Sequence, residues 1–116
     1  MNPELVELRD TLREFARERD WDQFHSPRNL ASALSVEAAE LLEQFQWLTD
    51  AQSRELDQER LAAVSEEMAD VLLYLIRLAD KLDVDLLAAA RAKIRRNAEK
   101  YPADKARGNS RKYTDL

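Results

Sequence analysis

At 116 residues the chain has room for one domain, spanning 1–116, and its single glycine and three prolines cannot build a glycine-rich phosphate loop or the turns of a many-stranded β fold. The absence of cysteine and the presence of only one histidine, His25, remove disulfides, thiolate zinc and His-rich metal centres. A net charge of -5 argues against a nucleic-acid polymer as partner. With no leader-like start and no apolar run of ~18 residues, a soluble, cytoplasmic chain without membrane contact is expected.

Asn2-Pro3-Glu4 announces the first helix: a capping residue, proline at the first helical position, then an acid. Its apolar stripe is Leu5, Leu8, Leu12 and Phe15, and it fades near Arg19. The aromatic and polar run Asp20 to His25 reads as a loop. Ser26-Pro27 starts a second helix by the same logic, with a core stripe of Leu34, Ala38, Leu41, Phe45 and Leu48. Polar residues from Thr49 to about Asp57 form a connection. A third helix follows to Leu82, carrying the heptad stripe Leu61, Val64, Met68, Val71, Leu75, Leu78 and Leu82. A turn at Asp83 to Asp85 opens the fourth, with Leu87, Ala90, Ile94 and Ala98, which stops before Pro102. The expected fold is therefore all-α, a four-helix bundle. Residues 103–116 follow as a basic, extended tail holding Lys105, Arg107, Arg111 and Lys112.

One residue before each core stripe runs a second one. On the second helix it is Glu37, Glu40, Gln44 and Trp47; on the third it is Ala63, Glu67, Asp70 and Tyr74. One residue back is ~100° around a helix, so these side chains border the seam. Each acidic pair is spaced i, i+3, placing its members ~5–6 Å apart. Such spacing on a single helix usually marks a solvated face, as with Glu4, Glu7, Glu14 and Glu18. Two pairs in the same relation to two seams let four carboxylates converge if the helices pack antiparallel. Clustered carboxylates repel and raise one another's pKa, and a divalent cation removes the difficulty. An all-oxygen donor set points to Mg²⁺, with Mn²⁺ as a substitute. Trp47 and Tyr74 extend the stripes where aromatic faces can hold a base, and Lys93 and Asn97, i, i+4 neighbours, can reach phosphate oxygens.

Glu37-Ala38-Ala39-Glu40 followed by Glu67-Met68-Ala69-Asp70 resembles the Glu-x-x-Glu plus Glu-x-x-Asp signature of the MazG-like, all-α NTP pyrophosphatase superfamily. The run Arg19 to Leu30, Phe45-Gln46-Trp47, Asp70 to Leu75, Tyr101-Pro102 and Ser110 to Thr114 look like its dCTP pyrophosphatase branch. The resemblance covers about Leu5 to Leu116 and implies one MazG-like domain. It implies hydrolysis of a (deoxy)nucleoside triphosphate, dCTP or a 5-modified dCTP, to the monophosphate and pyrophosphate. Glu37, Glu40, Glu67 and Asp70 would hold Mg²⁺, with Glu37 or Glu40 as the base. Trp21, Asp22, Gln23, Phe24, His25, Trp47 and Tyr74 would form the nucleotide pocket, and Lys93, Asn97, Arg111 and Lys112 would meet the phosphates. The branch can carry a histidine where this chain has Leu12, which bears on base preference. A homodimer or dimer of dimers is implied. A base-indifferent pyrophosphohydrolase and a non-enzymatic helical assembly protein are the competing readings.

Overall fold

The computed structural model describes residues 2–116. Among them there are six α-helices, two 3-10 turns and no strand: α1 (Pro3–Glu18), a 3-10 turn (Asp22–Phe24), α2 (Pro27–Glu43), α3 (Asp50–Ser53), α4 (Gln58–Leu82), α5 (Leu86–Lys100), α6 (Ala103–Ala106) and a final 3-10 turn (Tyr113–Asp115). Four of these helices are the ones expected from the sequence. The chain divides into two compact units, 1–84 and 85–116. The four-helix bundle expectation is thus corrected in count: the first unit packs α1, α2 and α4, and α5 belongs to the second. No described helix is long and apolar enough to cross a membrane.

Short polar side chains start each long helix by accepting a backbone N–H that has no partner within the helix. Asn2 accepts from Glu4 at 2.9 Å, Ser26 from Asn29 at 3.1 Å, Asp57 from Arg60 at 2.7 Å and Asp85 from Ala88 at 3.1 Å. The connection before α4 is more ordered than its composition suggested. Thr49 and Gln52 close a reciprocal capping box that turns 50–53 into α3.

Two helices end in the left-handed region without glycine. In α1, Asp20 (φ 54°) follows the cap; the Trp21 N–H donates to the Ala16 carbonyl and the Asp20 N–H to that of Arg17. In α4, Asp83 (φ 53°) does the same, with Val84 donating to Ala79 and Asp83 to Asp80. Both are six-to-one closures that satisfy the last carbonyls. They turn the chain sharply, and the first delivers the Trp21–His25 segment onto α4.

In the first unit α4 packs against α2 along most of its length and against α1. Arg60 reaches the Gln44 carbonyl at 2.8 Å, while Glu37 meets Glu67 and Asp70, so α2 and α4 run antiparallel. The most deeply buried apolar residues are Ala16, Leu30, Val64, Ile76 and Ala79. The expected core stripes are corrected by burial. Val64 is buried and Val71, Leu75 and Leu78 are half-buried, but Ala38, Leu61, Met68 and Leu82 are exposed. The neighbouring stripe on α4 turns inward as well: Ala63, Glu67, Asp70 and Tyr74 are half-buried and Arg77 is buried.

The second unit holds α5, α6 and the last turn. The expected extended tail contains a helical turn at 103–106, and the Tyr113 ring meets Tyr101 edge-on at 6.1 Å with Lys100 Nζ 4.8 Å above it. Gly108 (φ 77°) makes the reversal between them.

Asp83 sits where a β-carbon costs ~1–2 kcal/mol, of which glycine's extra freedom in the unfolded chain takes back ~0.5–1. Asp83→Gly is therefore expected to stabilise by about 0.5–1 kcal/mol, raising Tm by about 2–5 °C. A calorimetric melt of both proteins checks this; an unchanged or lower Tm refutes it.

Candidate functional site

The acidic centre lies where the middle of α2 crosses the middle of α4. One carboxylate oxygen from each of Glu37, Glu67 and Asp70 lies within 4.8 Å of the others. Glu40 stands beside them, within hydrogen-bonding reach of both Glu37 and Glu67. Oxygens of Glu37 and Glu67 are shielded from water and have no hydrogen-bond partner. Buried polar atoms are almost always satisfied, so two orphaned acceptors pointing at further carboxylates mark a place made for a cation. A spread of no more than 4.8 Å is compatible with the ~4.2 Å across a Mg²⁺ octahedron, and the donors are all hard oxygens. The residues present fit a divalent ion.

Electrostatics give the same answer. Burial, a hydrogen bond with Glu40 and the charges of Glu40, Asp70 and Glu67 push the Glu37 carboxyl up to about 7. Burial and the charge of Glu40 raise Glu67 in the same direction. The centre holds its charge poorly without a counter-ion.

Beside it opens a cavity of about 460 Å³ lined by Leu8, Leu12, Phe15, Trp21, His25, Asp70, Tyr74, Arg77 and their neighbours. Asp70 belongs to both the acidic centre and the cavity wall. Aromatic rings step along one side: Phe15 meets Trp21 edge-on at 5.7 Å, and Trp21 meets His25 at 6.5 Å. Arg19 lies 3.5 Å over the Phe15 ring. The stripe of α1 expected as core, Leu8, Leu12 and Phe15, thus furnishes a cavity wall.

An ion-pair network closes the far end. Arg77, buried at 6% exposure, donates through Nη2 to Asp22 at 2.5 Å and through Nε to His25 Nδ1 at 3.2 Å, and its Nη1 faces Asp80 at 3.5 Å. Asp80 accepts the fork of Arg13 from α1, at 2.7 and 2.5 Å. Lys81 donates to Asp22 at 2.5 Å. The Lys81 hydrogen bond foremost holds the Asp22 carboxyl below its ordinary range, and the Arg13 hydrogen bond does so for Asp80.

The residues singled out from the sequence therefore divide. Glu37, Glu40, Glu67 and Asp70 come together, and Trp21, His25 and Tyr74 join Asp70 around the cavity. Asp22 does not line the cavity; Arg77 and Lys81 draw it into the network. Gln23 turns back to Asp20, while Phe24 is exposed with its carbonyl accepting from Asn29 at 2.9 Å. Trp47, in the turn after α2, is 87% exposed. Lys93, Asn97, Arg111 and Lys112 are exposed residues of the second unit. Arg77 was missed, although it is the next step of the stripe Ala63, Glu67, Asp70, Tyr74; an arginine on a helix ordinarily reads as solvent-facing.

The model of the MazG-like family matches residues 32–116, and the chain belongs to that family. Human dCTP pyrophosphatase 1 is 48% identical, over 98% of this chain and 68% of the human protein. The protein of the same name from Rattus norvegicus is 47% identical over the same shares. A crystal structure of a pyrophosphatase from Archaeoglobus fulgidus superposes with a TM-score of 0.82 at 42% identity, covering 88% of this chain and 95% of that one.

An acid raised on folding binds more protons in the folded state, so its contribution to stability falls as pH rises from its unfolded to its folded value. For Glu37 that window runs from 4.5 to about 7. Metal-free protein is expected to lose Tm across it relative to Glu37→Gln, and Mg²⁺ to restore more Tm above pH 7 than below 5. Parallel pH curves for the two proteins in EDTA would refute the assignment.

Proposed function

We propose that the protein hydrolyses a deoxynucleoside triphosphate, dCTP or a 5-modified dCTP, to the monophosphate and pyrophosphate, with Mg²⁺ held by Glu37, Glu40, Glu67 and Asp70. The observation that carries this reading is the pair of orphaned, buried carboxylate oxygens of Glu37 and Glu67 in a four-acid centre that shares Asp70 with an aromatic cavity. The cavity volume lies within the ~300–1,000 Å³ typical of small-molecule sites, ample for a base and sugar. The likeness to proteins named dCTP pyrophosphatase 1 supports the choice of base.

Mg²⁺ bound here would neutralise triphosphate oxygens and make a coordinated water more acidic. The chain's own groups do the rest. A water positioned beside Glu37 and Glu40 would attack the α-phosphorus in line, the bond to the α–β bridging oxygen would break, and pyrophosphate would depart. Glu37 or Glu40 takes the water's proton, a role open to a carboxylate within reach of the water; the neighbours of Glu37 already raise its own affinity for a proton. Trp21, His25 and Tyr74 enclose the base and exclude water from it. Leu12, where relatives of this branch can have histidine, makes that wall more apolar. The roles of Lys93, Asn97, Arg111 and Lys112 towards the phosphates rest on the family resemblance, as do those of Asp22, Gln23, Phe24 and Trp47 towards the nucleotide.

We also infer a homodimer or dimer of dimers. Val36, Leu42, Trp47, Leu61 and Met68 are between 53% and 87% exposed, more apolar surface on consecutive helices than a solitary domain of this size usually leaves wet. Light scattering behind gel filtration should give a mass of two or four chains; a monomer at micromolar concentration would sink this part.

A panel of NTPs, dNTPs and 5-methyl-dCTP, with Mg²⁺ and with EDTA, tests the activity. Mg²⁺-dependent pyrophosphate release, fastest for cytosine deoxynucleotides, is expected. Even turnover across bases would retain the chemistry and discard the substrate; no turnover at all would leave a helical assembly protein. Glu40→Ala or Asp70→Ala should lower kcat by about 10²-fold or more with the circular dichroism spectrum unchanged.

A further inference from the structure

The cavity offers few polar groups, and one of them is unusually constrained. His25 follows the Asp22–Phe24 turn and is half-buried. Its Nδ1 accepts the Nε–H of Arg77 at 3.2 Å. A guanidinium donates only and keeps its proton at any physiological pH, so the nitrogen facing it has to be the unprotonated one. The proton of the neutral ring then lies on Nε2, which hydrogen bonds to no described residue. Burial foremost, then the charges of Arg77 and Lys81, lower the pKa of the ring, opposed by Asp22, and keep it neutral. Which tautomer a histidine adopts is set by the bond its other nitrogen makes.

Arg77 is itself held from three elements. Asp22 in the turn takes Nη2, Asp80 one helical turn along α4 faces Nη1, and Asp80 is braced by Arg13 of α1. An arginine serving only as a counter-charge would be satisfied by these two carboxylates. Its third direction is spent on an imidazole, a poor partner for a cation unless the ring's orientation matters.

We propose that Arg77 is a positioning residue that fixes His25 as its Nε2–H tautomer, presenting the cavity with a permanent donor for an acceptor atom on the nucleobase edge. This rests on the cavity being the nucleotide pocket. The consequence is selectivity. Cytosine presents adjacent ring-nitrogen and carbonyl acceptors, whereas thymine and uracil carry N–H at the corresponding ring position, where a fixed donor meets a donor. In a wall of Leu8, Leu12, Phe15 and Leu73 such a mismatch has little water to relieve it.

Because His25 is the only histidine of the 116 residues, its ring nitrogens can be read in the intact chain without assignment. Long-range ¹H–¹⁵N spectra of metal-free protein at neutral pH should show Nδ1 unprotonated and Nε2 protonated, and dCMP should shift the Nε2–H signal more than dTMP does. A ring protonated at Nδ1, or at both nitrogens, overturns the lock whatever nucleotides do. The expected tautomer with no response to dCMP overturns the base contact and the pocket reading while leaving the Arg77–His25 bond in place. Arg77→Met should admit the Nδ1–H form and raise KM for dCTP by about tenfold, the scale of one lost hydrogen bond, with a smaller effect on kcat and on dTTP. Arg77→Gln, whose amide can donate to Nδ1, should recover part of the KM. Equal losses for dCTP and dTTP, or no recovery with glutamine, would reduce Arg77 to a structural role.

Discussion

Two antiparallel helices that turn carboxylates toward each other are a poor design unless something other than packing is being optimised. The crossing of α2 and α4 brings Glu37, Glu40, Glu67 and Asp70 together. Like charges at that range oppose the helix contact that creates them, and burial adds a desolvation cost. The rest of the unit is arranged to hold the crossing despite this. Arg60 bonds to the Gln44 carbonyl near the hairpin, α3 is fastened by its capping box, and Leu30 of α2 and Val64 of α4 are buried. Every other property of the site follows from that forced approach: the raised carboxyls, the orphaned oxygens and the fit to a hard divalent cation.

The same stripe of α4 that supplies Glu67 and Asp70 continues through Tyr74 to Arg77 and Lys81. Over these positions, about 21 Å of helix at 1.5 Å per residue, the face changes from anionic to aromatic to cationic. The cationic end does not cancel the acidic end, since Asp22 and Asp80 already partner Arg77, Lys81 and Arg13. Local pairing keeps the two regions independent. One end is left wanting a cation, and the other spends its charge on fixing the Asp22–His25 turn against α4. On the proposed function, a single helix would thereby set both the place for phosphates and the place for a base.

Much of this was legible in the sequence because it is local. Asn2, Ser26, Asp57 and Asp85 mark helix starts by short-range hydrogen bonding, and Glu37, Glu40, Glu67 and Asp70 stand out by spacing alone. The signature of the family added the chemistry. What periodicity could not decide was which of two adjacent stripes faces inward. Leu61, Met68 and Leu82 are the more apolar set, yet they are exposed while Glu67 and Asp70 turn in. A hydrophobic stripe has the same period whether it is covered by its own chain or by a second copy. Arg77 was invisible for the complementary reason: its burial depends on Asp22 and Asp80 arriving from 55 positions earlier and one helical turn later. The capping box of α3 was hidden by a polar composition that reads as a plain connection.

The charge balance also bears on how a nucleotide is read. The chain is acidic overall, at -5, and its deepest concentration of charge is negative. On the proposed function, a triphosphate approaching that centre unaccompanied would meet repulsion, which a divalent ion held by the acids would relieve. The base cavity cannot compensate by offering positive charge. Arg77 in its wall is already paired with Asp22 and Asp80, and burial foremost, with the charge of Arg77, lowers the pKa of the His25 ring. On the proposed function, affinity for the phosphates would rest on the metal, and discrimination among bases on shape and on hydrogen bonds in an apolar wall. Separating the two has a physical advantage. A cationic imidazole would attract any nucleotide through its phosphates and blur the choice, whereas a neutral donor of fixed direction responds only to what the base edge presents.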